Sequence, residues 1–490
     1  MDDIINNLKS RILFMSNFAE IREKFEESGQ GHVFKYWGEL SDRQKSQLLA
    51  QLEEVDLDEI AHLNETLLFA NKTESQVDFS KLAPAPYIKY SENKESDPVW
   101  QKAKSVGEDA IRAGKLAAFV VAGGQGTRLG YDAPKGTLPI SPVKHKPFFQ
   151  IFAEKIRFAQ GKYGVEIPFM VMTSIINHSQ ICSFFKSNGY FGLNPENVIF
   201  FKQGFIPSVD KSGKIILSGK GEIALAPNGH GGCLRAMVRS GAIARLKELG
   251  VEYISYFQVD NPLVNIIDPY FLGFHILGGS EISSKMIPKA YPLEKVGHFC
   301  IYNGKLCVIE YSDLPASYQE QLDENGALKF IAGSVAIHIL NVDFVEAKGS
   351  DDSDCKLPFH VAFKKVPFVD GNGDIVKPEK PNGYKYEMFV FDALESAKNP
   401  VVLEGLRREE FSAVKNKDGL DSPATCKRDQ KRQFADWLEA AGVPLERDSD
   451  GTPVFDIEIS PLFASNKSDF VEKWKALDKK PEIRDGLFIE

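Results

Sequence analysis

The 490-residue sequence predicts an α/β protein built on a central, mostly parallel sheet. Three observations point there. From Lys115 onward, short apolar runs alternate with longer stretches of helical apolar spacing, the βαβ pattern of a parallel sheet. The first run, LAAFVVA from Leu116 to Ala122, carries no charge, as a strand buried on both faces requires. That run opens directly into a glycine-rich loop, where an open α/β sheet presents its ligand-facing connections.

The residues up to about Ala70 read as helices. In SDRQKSQLLAQLEEV, Ser41 is a capping residue, and Leu48, Leu49, Leu52 and Val55 follow at helical spacing. The stretch Asn71 to Asp97 is polar, holds APAPY, and reads as a surface connection. Beyond LAAFVVA the order is helix PFFQIFAEKIRFA, strand PFMVMTS, a helix ending in SFFKSNGY, and strand NVIFFKQG. CLRAMVRSGAIARLKELG reads as one long amphipathic helix, followed by the strand YISYFQVDN, which ends in an acid. After Pro288 hairpins dominate: Asn303-Gly304 joins CIY to KLCVIEY, and Asp370 to Asp374 joins VPFV to IVKP. RDQKRQFADWLEAAG is the last predicted helix.

The formal net charge is −9 and no Lys/Arg stripe is present, so nucleic acid is excluded as the main partner. A phosphorylated small molecule needs only a few local lysines and remains open. The start MDDIINNLKS is not a signal peptide, and no apolar run approaches the ~20 residues that span a bilayer. Six cysteines (Cys182, Cys233, Cys300, Cys307, Cys355, Cys426) form no CxxC pair, the usage of reduced thiols in a cytoplasmic enzyme.

The chemistry concentrates in VVAGGQGTRLGYDAPKG, Val120 to Gly136. Glycines 123, 124, 126 and 130 let the backbone approach a nucleotide or take positive φ, and their exposed N–H groups can cradle phosphate oxygens. Arg128 and Lys135 add two positive charges, as a leaving pyrophosphate requires. The spacing after Gly126 breaks the dinucleotide fingerprint, and no GxxxxGK[ST] run occurs, so neither a Rossmann oxidoreductase nor a P-loop is present.

This loop resembles the UTP-binding signature of the eukaryotic-type UDP-sugar pyrophosphorylases. GQGHVFKYWGEL, YFGLNPENVIFFKQG, APNGHGG, VDNPLV, VIEYSDL, KPNGYKYEMFVFDAL and LRREEFSAVKN extend the likeness over nearly the whole chain, toward the UDP-N-acetylglucosamine pyrophosphorylase branch. The resemblance implies a Rossmann-like nucleotidyltransferase fold in three parts: a helical domain (1–97), a catalytic α/β domain (98–400) and a small C-terminal domain (401–490). It implies a uridylyltransferase that joins UTP to N-acetylglucosamine 1-phosphate with Mg²⁺ as cofactor. By the same likeness Val121, Ala122, Gly123, Gly124 and Lys135 hold UTP, with Arg128 on the pyrophosphate side. Gln203 and Gly229 contact uracil, and Asp260 stands beside the nucleotide and the metal. One strand-end carboxylate suits Mg²⁺, which takes most of its oxygens from phosphates and water. Before Asn261-Pro262, Asp260 also fits a plain turn or helix-cap role. Gly297, Glu310 and Tyr311 match the sugar pocket, and Lys385 and Lys415 the two phosphate-binding lysines. Taken alone, VIEYSD is an ordinary half-buried strand, and both lysines are solvated.

Two positions depart from the branch pattern. His230 in PNGHGG and Ser334 in IAGSVAIH stand where the branch has asparagines near the sugar. The GHG form is similar to UDP-glucose and broad UDP-sugar relatives, so glucose 1-phosphate or a range of hexose phosphates is the alternative substrate. A UDP-sugar sensor without turnover is the non-enzymatic alternative. The retained Arg128, Lys135, Asp260 and Lys415 oppose it, because a sensor has no need of a pyrophosphate side.

Overall fold

The alternating runs fold into a mixed sheet of ten strands. The structure, a computed structural model, describes residues 18–69, 77–350 and 356–490. Residues 1–17 of the helical reading, 70–76 around the polar connection, and Cys355 lie outside it. The strands are β1 (Leu82–Pro84), β2 (Leu116–Val121), β3 (Phe169–Thr173), β4 (Val198–Lys202) and β5 (Tyr253–Gln258). Then come β6 (Ile282–Pro288), β7 (Gly297–Tyr302), β8 (Lys305–Ile309), β9 (Ala332–Asn341) and β10 (Val401–Glu404). Their spatial order is β1-β7-β9-β5-β2-β3-β4, with β8 beside β7 and β6 between β9 and β10.

The core β5-β2-β3-β4 is parallel throughout. Every residue of β2 and β3 is buried, which accounts for their lack of charge. Helix Phe148–Tyr163 carries the chain from β2 to β3, and helix His178–Ser187 from β3 to β4. The chain then re-enters the sheet on the other side of β2, as β5. This reversal is a topological switch point, and the crevice outside the strand ends there is where such sheets bind ligands.

Beyond the parallel core, β9 runs antiparallel to β5, and the β7–β8 hairpin continues the sheet. Its turn residues Asn303 and Gly304 both have positive φ (50° and 78°), as a primed two-residue turn demands. The predicted single helix from Cys233 is two, Cys233–Arg239 and Ala242–Glu248. Gly241 separates them at φ 78°, a left-handed value that ends a helix.

Two compact units share the chain, both discontinuous in sequence. The first joins residues up to Val77 with Gly204–Gly232 and Leu357–Phe389. Its core packs Leu48, Leu49 and Leu52 of helix Asp42–Glu53 with Ile206, Ile223 and Tyr386, and Ser41 closes that helix in a capping box with Gln44. The second unit holds the sheet and the remaining residues through Glu490. Within it, Trp437, Ile457, Phe470 and Trp474 form a small separate core near the C-terminus.

Helices Pro98–Arg112 and Pro269–Leu277 of the second unit cross at two glycines. A Cβ at Gly273 would lie 1.7 Å from the Ala103 carbonyl oxygen, and one at Gly107 only 1.9 Å from that of Pro269. Backbone cannot yield as a side chain does, so the helices would have to part. Gly273→Ala is expected to destabilise this unit by about 3 kcal/mol, the upper range of overpacking costs. Urea unfolding followed by far-UV circular dichroism measures it; an unmoved midpoint would show that the crossing is not tight.

Candidate active site

The loop after β2 is folded back on itself. Gly126 N donates to Ala133 O at 2.9 Å, and Lys135 N donates to Gly124 O at 3.1 Å, so Lys135 returns beside the end of β2. Of the four glycines, only Gly130 uses positive φ (72°). Two others serve close approach: a Cβ at Gly126 would lie 2.7 Å from Tyr131 O, and one at Gly123 2.8 Å from Gln203 Oε1. Nothing lies within 4 Å of a Cβ at Gly124, which leaves its backbone open. At the next position, Gly136, a Cβ would sit 2.3 Å from the Phe149 ring, so the residue following Lys135 must be glycine.

Gln203 is placed by the end of β4, its N–H donating to Thr173 O at 2.7 Å. It is buried, and its amide oxygen lies against Gly123. Asn177, a residue the motif reading passes over, is fully buried and fixes the same corner. Its Nδ2 donates to Ala122 O at 3.1 Å, and its Oδ1 accepts from Ser174 N at 2.7 Å.

Across the switch point, Asp260 follows the end of β5. Its Oδ2 lies 3.6 Å from Lys135 Nζ, with 14% of the lysine and 19% of the aspartate side chain exposed. One peptide ties both to the segment carrying Lys415: Val414 N donates to Asp260 O at 3.0 Å, and Val414 O accepts from Lys135 Nζ at 3.3 Å. Lys415 itself is exposed, its N–H donating to Asp421 O at 2.7 Å. Burial, and then the charges of Glu294 and Asp260, hold the Asp421 carboxyl above the usual carboxylate range, while Lys415 partly offsets them. Arg128 is exposed in the turn Thr127–Leu129 and makes no ion pair among the described residues.

A second cluster forms where β7 meets β9. Gly297 pairs with Ser334, and a Cβ at Gly297 would lie 3.1 Å from Glu310 Oε1 and 3.7 Å from Ser334 Cβ. Tyr311, next along, is 40% exposed. The switch point thus brings together the exposed Gly124, Lys135 and Asp260, with Lys415 on the segment bonded to Asp260.

Residues 57–422 match the family described as UTP–glucose-1-phosphate uridylyltransferase. The chain belongs to that family. It is 37% identical over 453 residues to a UDP-N-acetylhexosamine pyrophosphorylase-like protein 1 of Xenopus tropicalis, covering 89% of this chain and 87% of that one. A UDP-N-acetylglucosamine pyrophosphorylase of Saccharomyces cerevisiae is 34% identical, over 96% of this chain and 100% of its own. The crystal structure of the Trypanosoma brucei uridine diphosphate N-acetylglucosamine pyrophosphorylase, solved with an inhibitor, superposes with a TM-score of 0.80. That match has 26% identity and spans 97% of this chain and 98% of the other.

In this member of the uridylyltransferase family the remaining sequence-derived residues lie on the first unit. Gly229 is an obligate glycine: φ is 80°, and a Cβ would sit 2.2 Å from Met388 O. The His230 ring lies 5.4 Å from that of Phe389, and burial pushes its imidazole down to about 4, so it is neutral near pH 7. Lys385 is half-buried on strand Gly383–Glu387, paired with Ala362. The five described cysteines are free. No helix among the described residues is long and apolar enough to cross a membrane.

Proposed function

We propose that the protein transfers the uridylyl group of UTP to N-acetylglucosamine 1-phosphate, forming UDP-N-acetylglucosamine and pyrophosphate. As a member of its family it is a nucleotidyltransferase acting on a nucleotide and a sugar phosphate. The observation that carries the reading is the placement of Lys135 and Asp260, 3.6 Å apart, beside an open glycine backbone at the switch point. A phosphate oxygen of the sugar 1-phosphate attacks the α-phosphorus of UTP, and the α–β bridging bond breaks with its electron pair leaving on pyrophosphate. Such a transfer needs positioning and charge neutralisation, with no protein nucleophile.

The Gly123–Gly124 backbone and the Gln203 amide are the groups suited to uracil and the adjoining phosphates. Lys135 and Arg128 balance the charge developing on pyrophosphate, and Lys415 meets the sugar phosphate. Gly297, Glu310 and Ser334 are the groups suited to a sugar, with Glu310 accepting from its hydroxyls. Among the described residues no cluster of three or more His, Cys, Asp or Glu side chains could hold a metal alone. A lone, partly exposed Asp260 fits Mg²⁺, which is held by one or two carboxylates plus substrate phosphates. Bound there, the ion would neutralise phosphate charge.

Glucose 1-phosphate, or a wider hexose range, is the second reading, favoured by His230 and Ser334 where the N-acetyl branch has asparagines. Pyrophosphate release with UTP, ATP and GTP against N-acetylglucosamine 1-phosphate and glucose 1-phosphate tests both. UTP is expected to exceed the purine nucleotides by at least about 10²-fold in kcat/KM, because a site built on amide hydrogen bonds rejects the wrong base. N-acetylglucosamine 1-phosphate is expected to lead the sugars. Equal use of all three nucleotides overturns the uracil assignment, and a lead for glucose 1-phosphate moves the sugar to the second reading.

A further inference from the structure

Behind Asp260 lies a buried polar cluster that the transfer itself does not use. Asn261 is 3% exposed, and its side-chain amide bridges two backbone groups of the segment leading to Lys415. Nδ2 donates to Glu410 O at 2.6 Å, and Oδ1 accepts from Ser412 N at 3.1 Å. The Glu410 carboxylate reaches back in the other direction, Oε2 accepting from Asn265 N at 3.2 Å while Oε1 pairs with Lys285 Nζ. Lys285, 1% exposed on β6, also meets Asp268 Oδ2 at 2.6 Å, and Asp268 Oδ1 caps helix Pro269–Leu277 through Tyr270 N at 2.9 Å. From helix Phe148–Tyr163, Lys155 Nζ donates to Pro262 O at 2.6 Å and Val264 O at 2.8 Å. The loop after Asp260 is thus held by Glu410 and Lys155, which bond its backbone, and by Lys285, which pairs with the Asp268 carboxylate.

Three charges in so dry a place are costly, and well-packed apolar side chains would serve stability as well or better. Burial works against the Lys285 charge, but Asp268 and Glu410 hold the ammonium above its ordinary value. Burial likewise leaves the Glu410 carboxyl raised. What apolar packing could not supply is direction: Glu410 and Asn261 form reciprocal hydrogen bonds between the two segments carrying Asp260 and Lys415. With the bond from Val414 N to Asp260 O already described, four hydrogen bonds join the two segments.

We propose that Glu410 is a positioning residue, setting the Asp260 carboxylate and the Lys415 ammonium in register through Asn261, Asn265 and Lys285. The inference rests on the reading of Asp260 and Lys415 as substrate-facing groups. Its effect passes through Asp260, so the two residues must be coupled in turnover.

A double-mutant cycle on the full-length protein measures that coupling. Glu410→Gln keeps an acceptor for Asn265 N and is expected to lower kcat about 10-fold, the scale at which outer partners of a metal-facing group act. KM for UTP should change less than about 2-fold. In an Asp260→Asn background, the same Glu410→Gln change should cost less than about 2-fold in the residual turnover. An equal loss in both backgrounds, or none in the parent, overturns the positioning role. If Glu410→Gln fails to fold, Glu410→Asp, which keeps the charge but shortens the reach to Asn265 N and Lys285, is put through the identical cycle with the same criteria. If Asp260→Asn alone keeps full turnover, the reading of Asp260 itself falls, which is distinct from an uncoupled Glu410.

Discussion

Lys135→Ala is expected to lower kcat by roughly 10²–10³-fold, about 3–4 kcal/mol of barrier, in a protein that still folds. The kinetic and structural roles of this lysine separate cleanly. Its ammonium faces Asp260 at 3.6 Å and the Val414 carbonyl at 3.3 Å, and 14% of the side chain is exposed. In the absence of substrate that contact is a partly hydrated ion pair, worth roughly 0–1 kcal/mol. Removing it leaves Asp260 with access to water, so no stranded buried charge penalises the fold. The loop keeps its shape through Gly126 N to Ala133 O and through the Lys135 backbone N–H, neither of which depends on the side chain. On the proposed reading, bound substrate displaces water and the same ammonium faces the charge developing on pyrophosphate, where a fixed cation is worth several times more. Initial rates with saturating UTP and a thermal unfolding scan measure the two halves. Near-full kcat would remove Lys135 from the catalytic set, and a large fall in unfolding temperature would make it a structural residue.

The elements that position this lysine are readable from sequence because their causes are local. A short charge-free apolar run ending in glycines fits a buried strand, and a strand opening into four glycines presents backbone. Lys135 and Asp260 each follow such a strand end. What cannot be read is decided by packing. Glu409 and Glu410 are identical neighbours in LRREEF, yet Glu409 pairs with Lys467 near the surface while Glu410 is buried against Lys285. Nothing in the local pattern says which faces inward. Asn177 and Asn261 are likewise ordinary turn asparagines until the partners of their amides, far away in sequence, are in place. Ser240-Gly241 fails for a different reason: apolar spacing continues across it, and periodicity outvoted the glycine that breaks the helix. The sharing of the N-terminal helices' core with residues 204–232 and 357–389 depends on long-range contacts that no composition shift marks.

Asp260→Asn is expected to have a still larger effect, on the order of 10³-fold in kcat, while barely touching the fold. The substitution conserves shape. Val414 N donates to the Asp260 main-chain carbonyl at 3.0 Å, a bond indifferent to the side chain, and the amide oxygen can still face Lys135. What disappears is the negative charge of Asp260, which on the proposed reading faces the cation. Among the described residues no cluster of three or more ligating side chains exists to take over, although the Asp421 carboxylate stands near. Two consequences distinguish this role from that of a turn residue. Calorimetric titration of the parent protein should show UTP binding strengthened by Mg²⁺, and Asp260→Asn should erase most of that gain while leaving metal-free UTP binding close to its parent value. A turn residue would instead weaken both equally, through displacement of the loop, and would lower the unfolding temperature as well. The neighbouring Asp421 sharpens the test, since its carboxyl is held above the usual range partly by the Asp260 charge. Neutralising Asp260 relieves that repulsion, and Asp421 is then the carboxylate remaining near the same corner. Should Asp260→Asn keep a Mg²⁺-dependent gain in UTP affinity, that gain must vanish in Asp260→Asn with Asp421→Asn; its persistence in the double variant would show that neither carboxylate faces the metal.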